Sequence, residues 1–119
     1  MNTGIKHDFG KARLDLLPFE AITEIAKVLE FGATKYSAHN WRGGFVWSRT
    51  FSALLRHLWA FWRGEDKDPE TGLSHLAHAG CNILFLLTFF LEKTGTDDRY
   101  KPPSNKRPPD PEIAFPTGA

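Results

Sequence analysis

The sequence has little cysteine and no long apolar run. Cys81 is the single cysteine in 119 residues, so neither an internal disulfide nor a cluster of paired metal-binding cysteines is available. The N-terminus, MNTGIKHDFGKARLD, lacks the apolar stretch of a signal peptide. The longest largely apolar run, residues 83–91, is about half as long as a membrane-spanning helix requires. We therefore expect a soluble cytoplasmic protein that does not bind a membrane.

An excess of charge of either sign is also missing. Lys and Arg number 15 against 14 Asp and Glu, which leaves a formal charge of +1. Proteins that bind nucleic acid polymers or anionic membranes through bulk electrostatics are usually far more basic. We therefore expect no nucleic acid polymer as a partner, and any anion site must be built from a few local cations.

No segment alternates polar and apolar residues as a half-buried strand does, whereas three segments have apolar residues at helical spacing. These predict helices over roughly 15–36, 48–63 and 74–93. Pro18 is expected in the first turn of the first helix, Ser48 and Ser74 as N-caps of the other two, and Gly64 and Gly95 at their ends. The predicted fold is an all-α bundle of three main helices with a loop-like N-terminal arm.

The C-terminal part of the chain differs in composition. Six of the eight prolines lie in the last eighteen positions, which is typical of an extended or disordered segment. We therefore predict a helical domain over residues 1–95 and a Pro-rich tail over residues 96–119.

The third helix is apolar in every direction after Asn82. A helix without a polar face is expected to be central in its fold, and two shorter helices can hardly cover it. We therefore expect a homo-oligomer, either a dimer or a dimer of dimers, in which a second copy completes this helix.

Polar residues in this helix form the first candidate site. His75, His78 and Asn82 stand at i, i+3 and i+7 and therefore on one face. Two histidines one turn apart can chelate a metal ion. Alternatively, each imidazole simply donates to a backbone carbonyl or a carboxylate within the core.

Carboxylates and a further histidine elsewhere can join this face. Glu20 and Glu24 stand one turn apart on the first helix and could hold Mg²⁺, although such a pair taken alone is more often a solvated helix face. His57 lies at the border between the polar and apolar faces of the second helix. The acidic connection GEDKDPETG offers Glu65, Asp66 and Asp68 directly before the histidine face, and it is otherwise interpreted as a polar turn.

Cations and aromatic rings supply the candidates for binding a polyphosphate and a base. Such cations are also common on exposed helix faces, and tryptophans are common in cores. The candidate substrate-binding residues are Lys11, Arg13, Asn40, Trp41, Arg42 and Arg56.

Two linked segments resemble the phage and bacterial family of dATP/dGTP diphosphohydrolase N-terminal domain proteins. They are KHDFGKARLDLLPFEAITEIAKVLEFGATKYSAHNWRGG and SALLRHLWAFWRGEDKDPETGLSHLAHAGCNILFLL, and the resemblance covers roughly residues 4–92. It implies hydrolysis of purine deoxynucleoside triphosphates. The helical pattern is more distantly similar to the all-α nucleotide pyrophosphohydrolases of the MazG kind, and this similarity implies a divalent metal ion.

The chain departs from the MazG pattern at the metal site. Glu20 and Glu24 form ExxxE in place of ExxE, and His75 and His78 stand where a second carboxylate pair is expected. Imidazole suits Mn²⁺ or another transition metal better than Mg²⁺. A His-rich site near Asp66 is also similar to HD-type phosphohydrolases, although the dipeptide His7-Asp8 lies in the N-terminal arm.

The resulting hypothesis is a metal-dependent hydrolase of purine (deoxy)nucleoside triphosphates in phage nucleotide metabolism. Asn40 and Trp41 are expected to hold the base. The expected metal ligands are His75, His78, Asp66 and Asn82, and the expected catalytic residues are Glu20, Glu24, His57 and Asp66. The alternatives are a phage protein that binds and sequesters a nucleotide without cleaving it, and a structural oligomer whose histidines only satisfy a polar layer.

Overall fold

A computed structural model of the chain describes residues 3–103. Three main helices are present: α1 covers Phe19–Lys35, α2 covers Trp47–Trp62 and α3 covers His75–Glu92. Short 3-10 helices form at Leu14–Leu16 and Asn40–Gly43. No strand occurs within residues 3–103, so the predicted small all-α bundle is confirmed. The greater part of the predicted Pro-rich tail, residues 104–119, lies outside the described residues.

The helix starts differ in part from the predicted ones. Pro18 is extended and precedes α1 rather than lying in its first turn. Leu17 is extended as well, as expected for a residue that precedes proline, so Leu14–Leu16 forms a separate turn. At α3 the prediction is confirmed, because the Ser74 hydroxyl accepts the backbone N–H of Leu76 at 3.0 Å.

α3 packs against both of the other helices. Gly80 allows the approach of α1, since a side-chain carbon at this position would stand 2.7 Å from Ile25 Cδ1. At the other end of α3, Phe89 has no exposed surface. Its ring is 5.9 Å from that of Phe45, edge to face, and 6.3 Å from that of Trp41. These aromatic contacts attach the segment between α1 and α2 to the central helix.

After α3 the chain returns to the start of α2. Lys93 ends α3 in a left-handed conformation, two residues before the predicted Gly95. The backbone N–H of Trp47 donates to Thr96 O at 2.9 Å, and its indole N–H donates to Thr94 O at 3.0 Å. Ser48 was predicted to cap α2, but Val46 occupies that position. The Ser48 N–H instead donates to the carboxylate of Asp98 at 3.0 Å, because the returning segment brings an acid to this helix start.

Candidate functional site

The acidic connection between α2 and α3 folds back on itself before α3 begins. The N–H of Asp68 donates to Leu73 O at 2.8 Å, and the N–H of Gly72 donates to Asp68 O at 2.7 Å. The N–H of His75 then donates to the carbonyl of Asp66 at 3.0 Å. This closed loop holds its carboxylates beside the first turn of α3.

Two imidazoles from different helices meet next to this loop. Nδ1 of His57 on α2 lies 2.8 Å from Nδ1 of His75 on α3. His75 is buried, and its other nitrogen, Nε2, lies 2.6 Å from Oε1 of Glu65. The carboxylate of Glu65 can only accept, so His75 donates from Nε2.

The proton arrangement of the pair follows from that contact. A neutral His75 that donates from Nε2 has its lone pair on Nδ1. His57 therefore donates its Nδ1 proton to His75, and the lone pair of His57 is on Nε2. Glu65 thus orients a buried imidazole so that its unprotonated nitrogen points to a second imidazole.

His78 extends the cluster by one turn of α3. Its ring stacks on that of His57, with 4.4 Å between centroids and 7° between planes. Its Nε2 lies 2.7 Å from the hydroxyl of Thr71 and 4.0 Å from Oδ2 of Asp68. The same Asp68 oxygen accepts the N–H of Thr71 at 3.0 Å. Three imidazoles and a carboxylate therefore share a small, half-buried volume.

The local environment favours the neutral forms of His57 and His78 and the ionised form of Asp68. Burial lowers the pKa of His57, and the neighbouring His78 and His75 lower it further. Burial also lowers the pKa of His78, which Asp68 opposes only in part. Burial raises the pKa of Asp68, but hydrogen bonds from Thr71 and the nearby imidazoles outweigh this, so its pKa lies below the ordinary value. Neutral imidazole and carboxylate are the forms that ligate metals.

Within residues 3–103, the residues that can jointly hold a metal ion are His57, Asp68 and His75. One ligand atom from each lies within 4.8 Å of the others. Two imidazoles and one carboxylate can bind a transition metal and leave coordination positions open.

A cavity of about 540 Å³ adjoins this cluster, within the size range of small-molecule sites. His57 and His78 line it together with Asn40, Trp41, Arg56 and Asn82. A second cavity of about 660 Å³ shares Asn40, Arg56 and Asn82 and adds Arg49. The histidine cluster therefore opens toward a recess with cationic, amide and aromatic walls.

Residues 1–99 match the family described as "dATP/dGTP diphosphohydrolase, N-terminal". The chain belongs to this family. It is also 39% identical over 97 residues to a protein of Salmonella phage PMBT28 named dATP/dGTP diphosphohydrolase. That match covers 82% of this chain but 33% of the relative, so the chain spans about a third of the relative's length. No solved structure matches.

In this member of the dATP/dGTP diphosphohydrolase N-terminal family, the predicted metal ligands are only partly brought together. His75 and His57 meet directly, and His78 lies beside them. Asp66 contributes its backbone carbonyl to His75, while the carboxylate that joins the histidines belongs to Asp68. The amide of Asn82 donates to His78 O at 3.0 Å and lines both cavities.

Glu20 and Glu24 do not face α3. Ile25 is the residue of α1 that contacts Gly80, and the two glutamates lie about 140° and 100° around the helix from it. Both are exposed, and Glu24 forms an ion pair with Lys27 at 3.1 Å. The two glutamates predicted to be catalytic therefore lie away from the side of α1 that faces α3.

The predicted substrate-binding residues lie in three places. Asn40, Trp41 and Arg56 line the cavity beside the histidines. Lys11 and Arg13 lie in the N-terminal arm, where Arg13 pairs with Asp15 at 2.7 Å. Arg42 lies with its guanidinium 4.7 Å from the centre of the Trp41 ring.

Trp41 is held mainly by packing. Its ring stacks on Phe85 at 4.5 Å with 17° between planes, and Arg42 lies over the ring as well. Tyr36 lines both cavities and is 66% exposed. Tyr36 therefore offers a base a freer aromatic surface than Trp41 does.

Sequence reasoning placed Glu65 and Asp68 among the possible partners of the histidines but chose Asp66 from the acidic connection, and it missed Thr71. A signal for Asp68 is present in the sequence, because Asp-Pro favours turn initiation and the Asp68 side chain accepts the N–H of Thr71 three residues later. For Glu65 we find no comparable signal, since its contact with His75 depends on how the whole connection folds.

Proposed function

We propose that the chain hydrolyses purine deoxynucleoside triphosphates with a divalent metal ion held by His57, His75 and Asp68. The observation that carries this proposal is the junction of that ligand group with a cavity lined by Arg56 and Asn40. Membership of the diphosphohydrolase N-terminal family and the name of the phage relative support the substrate class.

The ligand group fits a metal ion in charge and in spacing. Two nitrogens that are each about 2.0–2.1 Å from one ion stand roughly 3.4 Å apart at a tetrahedral angle. The observed separation of His57 Nδ1 and His75 Nδ1 is 2.8 Å, so a small opening would admit an ion once the His57 proton has moved from Nδ1 to Nε2. Asp68 provides the negative charge, and the two imidazoles favour Mn²⁺ or another transition metal over Mg²⁺.

A bound divalent ion supplies charge for a phosphoryl oxygen and acidifies water. The chain's own residues hold the substrate: Arg56 lines both cavities, and a guanidinium can pair with phosphate oxygens in two-point contacts. In the second cavity Arg49 adds a second cation. The phosphate chain is thereby directed from the histidine cluster along α2.

His78 is the group we assign to proton transfer. It lines the cavity but is not part of the ligand group within residues 3–103. Because burial lowers the pKa of His78, its imidazole is neutral at neutral pH and can accept a proton from an attacking water. Thr71, 2.7 Å from Nε2, sets the orientation of the ring.

The base is assigned to the end of the cavity formed by the segment after α1. Asn40 offers an amide that can both donate and accept hydrogen bonds, and the exposed ring of Tyr36 offers a stacking surface. Both residues line the two cavities, so they lie where a base attached to the phosphate chain can reach.

The test is an assay of the purified chain with dATP, dGTP, dCTP and dTTP, each with Mg²⁺, Mn²⁺, Co²⁺ or Zn²⁺. Phosphorus NMR identifies released phosphate or pyrophosphate. We expect metal-dependent hydrolysis of the purine nucleotides. His75→Ala should abolish both metal binding and turnover, whereas His39→Ala, which removes an exposed histidine that accepts from Arg42, should change neither.

Two outcomes count against this proposal. Turnover that survives in His75→Ala contradicts the assigned site. Nucleotide binding that raises the melting temperature, with no product under any of the four metals, supports sequestration of the nucleotide instead.

A further inference from the structure

α3 carries an apolar stripe on its outer side. The stripe consists of large side chains that are between 40% and 69% exposed, namely Leu76, Ile83, Leu84, Leu87, Phe90 and Leu91. At 3.6 residues per turn these positions fall within about 120° of the helix circumference and extend for about 22 Å along it. They form one continuous surface.

The stripe lies on the face of α3 opposite the histidine cluster. His75, His78 and Asn82 cluster on the other side of the helical wheel, about half a turn away, and face α2 and the acidic connection. The sequence His75–Leu91 contains no Asp, Glu, Lys or Arg. Water therefore contacts an apolar surface that no charge interrupts.

We propose that a second copy of this chain covers the apolar stripe of α3 in a twofold-symmetric dimer. The six side chains, each about half exposed, leave on the order of 600 Å² of apolar surface uncovered, more than most monomers expose in one patch. A standard stable interface buries roughly 800 Å² per partner. The stripe by itself thus supplies most of the area that a dimer needs.

A second copy suits this surface better than a lipid bilayer. By length and composition alone, α3 passes as a membrane-spanning helix, but a spanning helix must present apolar groups all round. The opposite side of α3 instead holds His75 and His78 in a polar cluster. Helices that lie on membranes carry Lys or Arg beside their apolar face, and α3 has none before Lys93.

Twofold symmetry also matches the form of the stripe. In a symmetric dimer the same patch meets itself, so it must be self-complementary. Aliphatic side chains along one helix can interdigitate with those of an antiparallel copy. The exposed aromatic face of α2, with Trp59 and Trp62, is adjoined by Arg56 and Arg63 and is less suited to close contact with its own copy.

The experiment is sedimentation equilibrium of the full chain, with a mass of twice 13.5 kDa expected. In the double variant Leu87→Glu/Leu91→Glu we expect the dimer dissociation constant to rise at least about a hundredfold. Tyr100→Glu replaces a side chain that is 86% exposed outside the stripe and should leave the mass unchanged. Metal binding at the histidine cluster should survive in every variant.

Three results would overturn the proposal. The first is a wild-type monomer up to about 100 μM, far above the dissociation constant expected for an interface of this size. The second is a dimer that Trp59→Glu dissociates and the stripe variant does not. The third is a monomer that cosediments with vesicles of phosphatidylcholine and phosphatidylglycerol through the stripe.

If the double glutamate variant proves unfolded by circular dichroism, Leu87→Ala/Leu91→Ala replaces it. This milder change removes contact area without placing a charge on the stripe, and we expect the dissociation constant to rise at least about tenfold. An unchanged constant in the folded alanine variant would contradict the interface.

Discussion

Asp68 and Asp66 provide the sharpest test of the proposed metal site, because they are two residues apart and the structure gives them different tasks. The carboxylate of Asp68 belongs to the ligand group with His57 and His75. Asp66 participates through its backbone carbonyl, which accepts the N–H of His75. We therefore predict that Asp68→Asn strongly lowers metal affinity and hydrolysis, whereas Asp66→Asn preserves both.

The size of the effect follows from the contacts of Asp68. Loss of a group that merely orients a metal ligand already lowers affinity about 10–100-fold, so loss of a charged ligand should lower it at least about a hundredfold. The fold should survive, because asparagine keeps an oxygen that can accept the N–H of Thr71, now at 3.0 Å. Exchanging a charged acceptor for a neutral one costs about 1 kcal/mol, or roughly 4–8 °C in melting temperature.

Isothermal titration of Mn²⁺ and Co²⁺ into wild type and both variants measures affinity, and thermal unfolding without metal measures stability. Comparable losses of affinity in the two variants would refute the assignment of the carboxylate to Asp68. If Asp68→Asn unfolds normally and binds the metal ions with wild-type affinity, the proposed metal site is refuted.

Three further predictions concern the support of the site and the fold. Glu65→Gln should lower metal affinity about tenfold in the same titration, because the neutral amide still accepts from His75 Nε2 but orients it less strongly; an unchanged affinity would contradict that role. Burial raises the pKa of the Cys81 thiol from 9.0 to about 11, so the unfolded thiol loses its proton first and wild type should lose stability relative to Cys81→Ala between pH 9 and pH 11. Urea unfolding at pH 8 and pH 10.5 measures this, and parallel changes in the two proteins would speak against it. Gly95→Ala should destabilise the chain by at least about 2 kcal/mol more than Gly64→Ala. Both glycines have positive φ, so the backbone strain is similar, but the new carbon at position 95 would overlap the carbonyl oxygen of Phe45, while Gly64 has open space around it. Equal urea midpoints for these two variants would show that the close approach of residues 94–96 to α2 does not contribute to stability.

Much of the helical architecture is readable from local sequence. Ser74 caps α3 as predicted, because a hydroxyl before an apolar helix satisfies a free N–H of the first turn. The shared face of His75 and His78 also follows from helical periodicity alone. The start of α2 cannot be read from local sequence in the same way, because the Ser48 N–H donates to Asp98, fifty residues later in the chain.

The candidate site also combines features that local sequence determines with features that only the tertiary structure determines. The sequence determined that histidines of α3 share one side and that an acidic connection precedes them, since both are matters of spacing along the chain. The tertiary structure alone decided that Asp68 rather than Asp66 offers its carboxylate there, and that Glu65 holds His75. The physical reason is that the direction of a side chain changes from one position of a turn to the next, and the folding back of this turn is set by hydrogen bonds to the start of α3.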